Sequence, residues 1–197
     1  MNIELINKCI INLPERVDRL KQIEAELKWL FFDESHFLVS GIKHRETFTG
    51  IAQSHQTCIQ MAKDNLFPYI IIIEDDCIFQ AKEHTREYVY NALSNLPDQW
   101  DLLLGGIYET KGLTRYNDYW SKTKEFCALH FYIVHSNAYD KILSFDGSIH
   151  IDRWMASRGE LNCYVTNKLF ATQSNGYSDN AKQKVDYSNK LRTFDLL

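Results

Sequence analysis

The sequence predicts an α/β protein whose open, mostly parallel sheet is flanked by helices. Three features indicate this class: a short apolar run ended by a proline, an amphipathic helical pattern directly after it, and an uninterrupted β-branched run at Tyr69–Ile73. A strand without a polar face is typical of a central parallel strand that is covered on both sides. The alternation of strand and helix patterns favours a βαβ architecture.

The N-terminal part predicts two strand–helix units before the central strand. Cys9–Leu13 is an apolar run stopped by Pro14, and the apolar spacing after Glu15 predicts an amphipathic helix. Phe37–Val39 predicts a second strand, and residues 50–65 predict a second helix. Each helix would connect one strand to the next.

The rest of the chain continues this pattern. We predict helices over 81–96, 136–143 (with Ser136 as N-cap) and 151–158, strands over 101–106 and 131–134, an extended segment over 163–172, and a long loop over 107–125. Residues 1–180 would form one domain, and residues 181–197 would form a polar C-terminal tail.

Composition narrows the function classes. The chain has 197 residues, 45% of them hydrophobic and 24% charged, which suits a single globular domain. The net charge of −4 shows no basic excess for nucleic-acid binding, although a local patch stays open. Lys182, Lys184, Lys190 and Arg192 give the tail a modest positive face.

Cysteine usage and the N-terminus bear on the compartment. The five cysteines are odd in number and none has CxxC spacing, which predicts reduced, buried thiols and disfavours a zinc site. The N-terminus lacks a signal-peptide pattern, and the longest apolar run is too short to span a bilayer. We expect a cytoplasmic protein that would reach a lipid-linked substrate peripherally, at the inner membrane surface.

Glu74-Asp75-Asp76 is the most informative motif. Three adjacent carboxylates at the end of an apolar strand repel one another, and a divalent cation would relieve that repulsion. Open α/β sheets bind ligands at the carboxyl ends of their strands, so the position suits a metal–phosphate site. The alternative is that Asp75 or Asp76 only caps a turn or the following helix.

Further polar residues are candidates for substrate contacts. His55, beside Ser54, could donate to a phosphate or a sugar hydroxyl, or be a structural histidine. Arg16 and Arg19 could clamp a diphosphate, or form a solvated helix face. Asp152 could act as a general base, or be an acid favoured by the dipole at a helix N-terminus.

Two other stretches could contact a sugar. His130 is followed by Phe131 and Tyr132, and aromatic faces pack well against sugar rings. The stretch 173–179 is a dense polar cluster that could hydrogen-bond a polyol, or could be a plain loop.

Together these stretches resemble glycosyltransferase family 25, which includes lipooligosaccharide and collagen galactosyltransferases. The matching elements run in order over most of the chain: Ile10–Leu13 with Arg16 and Arg19, Gly50 with Ser54 and His55, Ile72–Asp76, Trp100–Gly105, His130 with Tyr132, Ile151-Asp152, and Ala171–Gln173 with Ser178 and Asp179.

The resemblance implies a GT-A-like, Rossmann-like fold, a UDP-sugar donor, Mn²⁺ or Mg²⁺ as cofactor, and an inverting mechanism. It also implies a role for each matching residue. The donor contacts would be Asn12, Leu13, Arg16, Arg19, Ser54, His55, Glu74 and Asp75; the metal ligands Glu74 and Asp76; the acceptor or sugar contacts His130, Tyr132, Gln173 and Ser178; and the general base Asp152, with Asp179 as its rival.

The predicted activity is therefore transfer of a hexose, galactose or glucose, from a UDP-sugar to a lipopolysaccharide-type glycan. Three alternatives stay open: the same chemistry on a modified nucleobase or a protein side chain, a non-catalytic nucleotide-sugar binding module, and metal-dependent phosphoryl transfer. A DNA acceptor would have to be flipped out or single-stranded.

Overall fold

The computed structural model describes residues 1–158, 160–191 and 193–197, so Arg192 of the predicted basic tail lies outside the described residues. Within them, six α-helices are present: α1 Val17–Leu27, α2 Thr47–Asp64, α3 Lys82–Ser94, α4 Tyr139–Leu143, α5 Ile151–Ser157 and α6 Ser188–Leu191. The strands there are β1 Lys8–Asn12, β2 Phe37–Ser40, β3 Tyr69–Glu74, β4 Cys77–Phe79, β5 Leu102–Leu104, β6 Tyr108–Lys111, β7 Thr114–Arg115, β8 Trp120–Thr123, β9 Glu125–Cys127, β10 Phe131–His135, β11 Cys163–Thr166, β12 Ala171–Gln173, β13 Gly176–Ser178 and β14 Gln183–Val185.

The main sheet is mixed, with most strands pointing the same way. Among the described residues it has eight strands in the order β2-β1-β3-β10-β5-β11-β8-β7. β1 runs parallel to β2 and β3, and β5 runs parallel to β11, whereas β8 and β10 are antiparallel to both of their neighbours. The predicted class, α/β with an open, mostly parallel sheet and flanking helices, is confirmed.

The central strand β3 is buried on both faces, as its continuous apolarity predicts. Ile70 and Ile72 belong to one hydrophobic cluster, and Ile71 and Ile73 belong to the other. Only its pairing with β1 is parallel, because β10 lies antiparallel on its other side. The apolar run therefore predicted the burial of β3 correctly, but it could not predict the direction of both neighbouring strands.

The prediction of a long loop over 107–125 is wrong. This stretch contains the short strands β6, β7 and β8 and the start of β9; β6 pairs with β9, and β8 joins the main sheet beside β11. Short, polar strands of two to four residues have no clear period, and the partner of β8 lies about forty residues away. A second correction concerns Ser136: the N-cap of its short 3₁₀-helix is His135, whose side chain accepts the Asn137 N–H.

The cysteines are free, as the sequence predicts. Cys9, Cys58, Cys77 and Cys163 are buried, and Cys127 is partly exposed. Burial raises the pKa of Cys127 to about 11, which keeps this thiol protonated at neutral pH. In the described part of the chain, no helix combines the length and apolarity needed to cross a bilayer.

Gly106 allows a close backbone approach that positions the segment leading to Gln173. A Cβ atom at this position would lie 1.9 Å from the Ala171 carbonyl oxygen and 2.8 Å from His130 Nε2. We expect Gly106→Ala to lower the free energy of unfolding by at least about 1–3 kcal/mol, the usual cost of overpacking, as measured by urea denaturation.

Gly41→Ala is the matched control for this prediction. Its Cβ would meet the Leu13 side chain at 3.0 Å and the Leu13 backbone nitrogen at 3.3 Å, so a shift of a few tenths of an ångström relieves contacts that at Gly106 are much closer. A loss of stability in Gly41→Ala as large as that in Gly106→Ala would contradict the proposed role of the Gly106 backbone contact.

Candidate active site

A cleft of about 620 Å³ opens at the carboxyl ends of β1 and β3, the usual position of a ligand site in an open α/β sheet. Most of the sequence-predicted site residues line this cleft: Leu13, Arg19, Ser54, His55, Glu74, Asp75, Asp76, Asp152, Gln173, Ser178 and Asp179. The four others, Asn12, Arg16, His130 and Tyr132, are not among its lining residues.

The carboxylate motif lies between two elements that fix its surroundings. Glu74 ends β3, and β4 follows directly after Asp76. β12 pairs antiparallel with β4 so that Gln173 is opposite Cys77, which places the Gln173 amide beside the carboxylates. Gln173 Nε2 donates to Glu74 Oε2 and Asp76 Oδ1, each at 3.2 Å. The two carboxylates therefore converge on one point.

Arg19, on α1, contacts the other side of the motif. Its Nη1 donates to Asp75 Oδ1 at 3.0 Å and to Asp76 Oδ2 at 3.3 Å, and its Nη2 donates to the Tyr177 carbonyl at 2.6 Å. The Arg19 side chain is 13% exposed and both aspartate side chains are 10% exposed, so solvent screens these contacts only partly. The alternative that Arg19 only forms part of a solvated helix face is not what the structure shows.

His55 supports Glu74 from the helix side. His55 Nε2 lies 3.2 Å from Glu74 Oε1, and His55 Nδ1 lies 2.8 Å from the Tyr132 hydroxyl. Because an ionised carboxylate can only accept, a neutral His55 carries its hydrogen on Nε2 and accepts the Tyr132 hydroxyl at Nδ1. Tyr132 is fully buried, so its hydroxyl orients His55 rather than facing the cleft.

The three carboxyl groups do not ionise alike. Burial raises the pKa of Asp76 to about 7, with the charge of Glu74 as a second cause, and burial raises the pKa of Asp75 to about 6 despite Arg19. Burial also opposes ionisation of Glu74, but the hydrogen bond with His55 and the nearby positive charges of His55, His130 and Arg19 together outweigh burial and lower the pKa of Glu74. The single positive charge of Arg19 therefore does not balance the negative charge of the three carboxyl groups at neutral pH.

The residues of the motif fit a hard divalent cation. Mg²⁺ and Mn²⁺ prefer oxygen ligands, and Mg²⁺ usually takes one or two protein carboxylates together with substrate phosphates. Glu74 and Asp76 supply converging carboxylate oxygens beside an excess of negative charge. Over residues 1–158, 160–191 and 193–197, no group of three or more His, Cys, Asp or Glu side chains has the spacing of a complete metal site. Two protein ligands completed by phosphate oxygens is the arrangement that these residues allow.

The raised pKa of Asp76 predicts a pH-dependent stability difference. Since its folded pKa lies above its unfolded value, the stability contribution of Asp76 is complete at low pH and is lost as the pH rises towards about 7. We expect Asp76→Asn to gain stability relative to the wild type between about pH 5 and pH 8 in EDTA, by at most about 1.4 kcal/mol per pH unit. Urea denaturation at each pH measures this difference.

The difference between the two proteins is the measurement, not the wild-type slope. Burial lowers the pKa of His130, so His130 changes stability in the opposite direction over the same pH range. Because both proteins contain His130, its effect cancels in the difference. A stability difference that stays constant from about pH 5 to pH 8 would contradict the raised pKa of Asp76.

The two candidate bases have different surroundings. Asp152, at the start of α5, accepts the Ala128 N–H at 2.8 Å through Oδ2 and its neighbour's N–H at 2.7 Å through Oδ1. Asp179 is paired with Arg16, which also binds Asp18. Asp152 is thus held by two backbone N–H groups, whereas Asp179 is held by an arginine.

The remaining predicted residues have internal partners. Ser54 accepts the Ile42 N–H and donates to the Gly50 carbonyl, each at 2.8 Å, and so holds the loop after β2 against α2. Asn12 donates to the Leu13 carbonyl and His130 Nε2 lies 2.9 Å from the Ala171 carbonyl. In the described chain, Asn12 Oδ1 and His130 Nδ1 are buried without a hydrogen-bond partner.

The cleft is also lined by residues that the sequence did not single out as site residues, apart from Lys190 in the basic tail. Tyr108 and Tyr187 stack with ring centroids 5.2 Å apart and planes inclined by 9°. Glu109 pairs with Arg153 at 2.8 Å and with Lys190 at 3.2 Å. These residues come from β6, α5 and the C-terminal segment, which are distant in sequence, so no local pattern could have identified them. Lys182 of the basic tail also lines the cleft.

Comparison with solved structures shows that this fold is shared with other proteins. No protein-family model and no curated protein matches the sequence, so the resemblance to family 25 stays a prediction. The crystal structure of A197 from STIV is similar with a TM-score of 0.55 and 15% identity, over 92% of this chain and 93% of that chain. At this identity the likeness shows the fold alone.

Other solved structures with lower similarity include sugar-nucleotide enzymes. UDP-glucose pyrophosphorylase complexed with UDP-glucose has a TM-score of 0.49 and 9% identity, over 82% of this chain and 90% of that chain. A Drosophila β1,4-galactosyltransferase 7 mutant in complex with manganese, UDP-Gal and xylobiose has a TM-score of 0.46 and 11% identity, over 98% and 76%.

Proposed function

We propose that this chain is an inverting, metal-dependent glycosyltransferase that transfers a hexose, galactose or glucose, from a UDP-sugar to a glycan acceptor of the lipopolysaccharide type. The carrying observation is the cleft itself: the converging carboxylates of Glu74 and Asp76 and the guanidinium of Arg19 lie at the strand ends, and Asp152 lines the same cavity. Carboxylates with excess negative charge, a phosphate-binding arginine and a separate base are the groups that sugar transfer from a nucleoside diphosphate requires.

The donor side is formed by the strand ends. Glu74 and Asp76 would hold Mn²⁺ or Mg²⁺, which neutralises the charge that develops on the leaving diphosphate. Arg19 is placed to bind a phosphate, since guanidinium groups bind phosphate bidentately. His55 fixes the orientation of Glu74, and Ser54 fixes the loop at the cleft edge, so both support the donor side without direct contact.

Asp152 is proposed as the general base. It would take the proton of the acceptor hydroxyl while that oxygen attacks the anomeric carbon from the face opposite the leaving group. Its two backbone hydrogen bonds fix the orientation of the carboxylate at the cleft. Tyr187, which is partly exposed and stacks on the buried ring of Tyr108, offers an aromatic surface against which a sugar can pack.

A donor-hydrolysis screen tests the proposal. The protein is incubated with Mn²⁺ or with EDTA and offered UDP-galactose, UDP-glucose, UDP-N-acetylhexosamines and GDP-sugars, and nucleotide release is measured. We expect release of UDP from one hexose donor only when Mn²⁺ is present. Release of a monophosphate would instead support phosphoryl transfer or hydrolysis.

Binding measurements decide the case in which no donor is turned over. Tight UDP binding that requires Mn²⁺ would indicate a strict acceptor requirement. UDP binding with the same affinity in Mn²⁺ and in EDTA, without turnover, would favour the nucleotide-sugar binding module and would contradict the proposed enzyme. A modified nucleobase or a protein side chain stays the alternative acceptor, and both can be offered in the same assay.

A further inference from the structure

Arg19 uses both terminal nitrogens of its guanidinium inside the protein. Nη1 bridges one oxygen of Asp75 and one oxygen of Asp76, at 3.0 and 3.3 Å, and Nη2 donates to the Tyr177 carbonyl at 2.6 Å. The Tyr177 carbonyl belongs to β13, in the C-terminal segment beside the cleft. Arg19 therefore acts as the counter-ion of the carboxylates when no cation is bound.

The same oxygens are needed by a divalent cation. Asp76 Oδ2 is already 3.3 Å from Arg19 Nη1 and 3.3 Å from Gln173 Nε2, so its hydrogen-bonding capacity is in use. A cation and a guanidinium on one carboxylate repel each other, and this repulsion is strong where the side chains are only 10–13% exposed. The Arg19 contact and metal occupancy are thus in competition.

We propose that Arg19 keeps the Asp75–Asp76 pair closed to a divalent cation until a phosphate group draws its guanidinium away, so that the cation and the nucleoside diphosphate bind in a coupled way. The inference rests on the proposed function, because it assigns the carboxylates to a metal and the cleft to a diphosphate. Arg19 lines the cleft, and a guanidinium that leaves a carboxylate finds an equivalent bidentate partner in a phosphate.

Coupling of this kind has a signature that a purely structural arginine lacks. Removing Arg19 should strengthen binding of the cation alone, because its competitor is gone, and should weaken binding of the nucleotide alone, because a phosphate contact is gone. A residue that only stabilised the fold would weaken both. A gain in cation affinity together with a loss in nucleotide affinity would therefore identify Arg19 as the competitor of the cation.

The experiment is calorimetric titration of Mn²⁺, without nucleotide, into wild type, Arg19→Gln and Lys21→Gln at about pH 8. This pH lies above the pKa of Asp75, about 6, and that of Asp76, about 7, in the wild type. Lys21 is exposed on the same helix and its substitution removes the same charge. UDP is titrated separately in EDTA, and thermal melting confirms that each variant is folded.

We expect Arg19→Gln to bind Mn²⁺ about tenfold more tightly and UDP about tenfold more weakly, within the range of roughly 5- to 150-fold common for coupled sites. Lys21→Gln should bind both as the wild type does. Arg19→Lys keeps the positive charge but lacks the second nitrogen that donates to the Tyr177 carbonyl, so its Mn²⁺ affinity should lie between those of wild type and Arg19→Gln. If Arg19→Gln does not fold, the Mn²⁺ affinity of Arg19→Lys relative to that of the wild type tests the proposal.

Two negative results are distinguishable. Mn²⁺ binding by the wild type with no gain in Arg19→Gln or Arg19→Lys would overturn the competition and leave the proposed function standing. No Mn²⁺ binding by any variant at millimolar concentration would overturn the proposed metal dependence, and the role of Arg19 with it.

Discussion

Asp76→Asn is expected to abolish Mn²⁺-dependent UDP release, by at least about 100-fold, while the protein remains folded and is no less stable than the wild type at about pH 8. The loss follows because asparagine removes one of two converging anionic ligands, and a metal's stabilisation of the leaving group is worth several kcal/mol. Stability is retained because Asp76 is 7% exposed and its ionised form is disfavoured by burial.

The combination of lost activity and preserved stability is the informative result. Asp118→Asn is the control, since the side chain of Asp118 is 91% exposed, pairs with Arg115 and does not line the cleft. Mn²⁺ affinity is measured by calorimetry and stability by urea denaturation. Unchanged UDP release in Asp76→Asn would remove the argument for a metal at this motif. A collapse of stability would make Asp76 a structural residue.

The local sequence pattern predicted which segments form buried strands, but it did not predict how all of these strands pair. The run at Tyr69–Ile73 predicted a buried strand, and β3 is buried on both faces because adjacent residues feed the two hydrophobic clusters. Strand direction was partly missed, because β10 lies antiparallel to β3 and this pairing depends on the whole connection between them. The same holds for β8, whose pairing with β11 is long-range.

For the candidate site too, some features could be predicted from the local sequence and others could not. The chemistry of Glu74–Asp76 was readable because three adjacent carboxylates after an apolar strand are unusual in themselves. The partners of these carboxylates were not readable, because Arg19 and Gln173 approach from α1 and β12. Tyr132 shows the reverse: sequence suggested a sugar contact, whereas its buried hydroxyl bonds His55. Tertiary packing, which no local motif encodes, decides which polar group faces the cleft.

The choice between the two acidic candidates for the base depends on their partners. A base must hold a free lone pair at the moment of attack, whereas a carboxylate in an ion pair serves to hold its arginine in place. Asp179 is paired with Arg16, whereas the partners of Asp152 are two backbone N–H groups. Asp179 therefore suits a role in positioning Arg16 near the cleft.

Asp152→Asn is expected to reduce the kcat of UDP release by about 10²- to 10⁴-fold, the usual contribution of a general base, with Mn²⁺ and UDP affinities unchanged. Asparagine can still accept the Ala128 N–H through its amide oxygen, so the start of α5 should keep its structure. Asp179→Asn, the matched variant, should instead weaken UDP binding, because it releases Arg16, and should leave kcat within about tenfold of the wild type. A larger fall in kcat for Asp179→Asn than for Asp152→Asn would reverse the assignment. Equal, small effects in both would mean that neither carboxylate takes the proton.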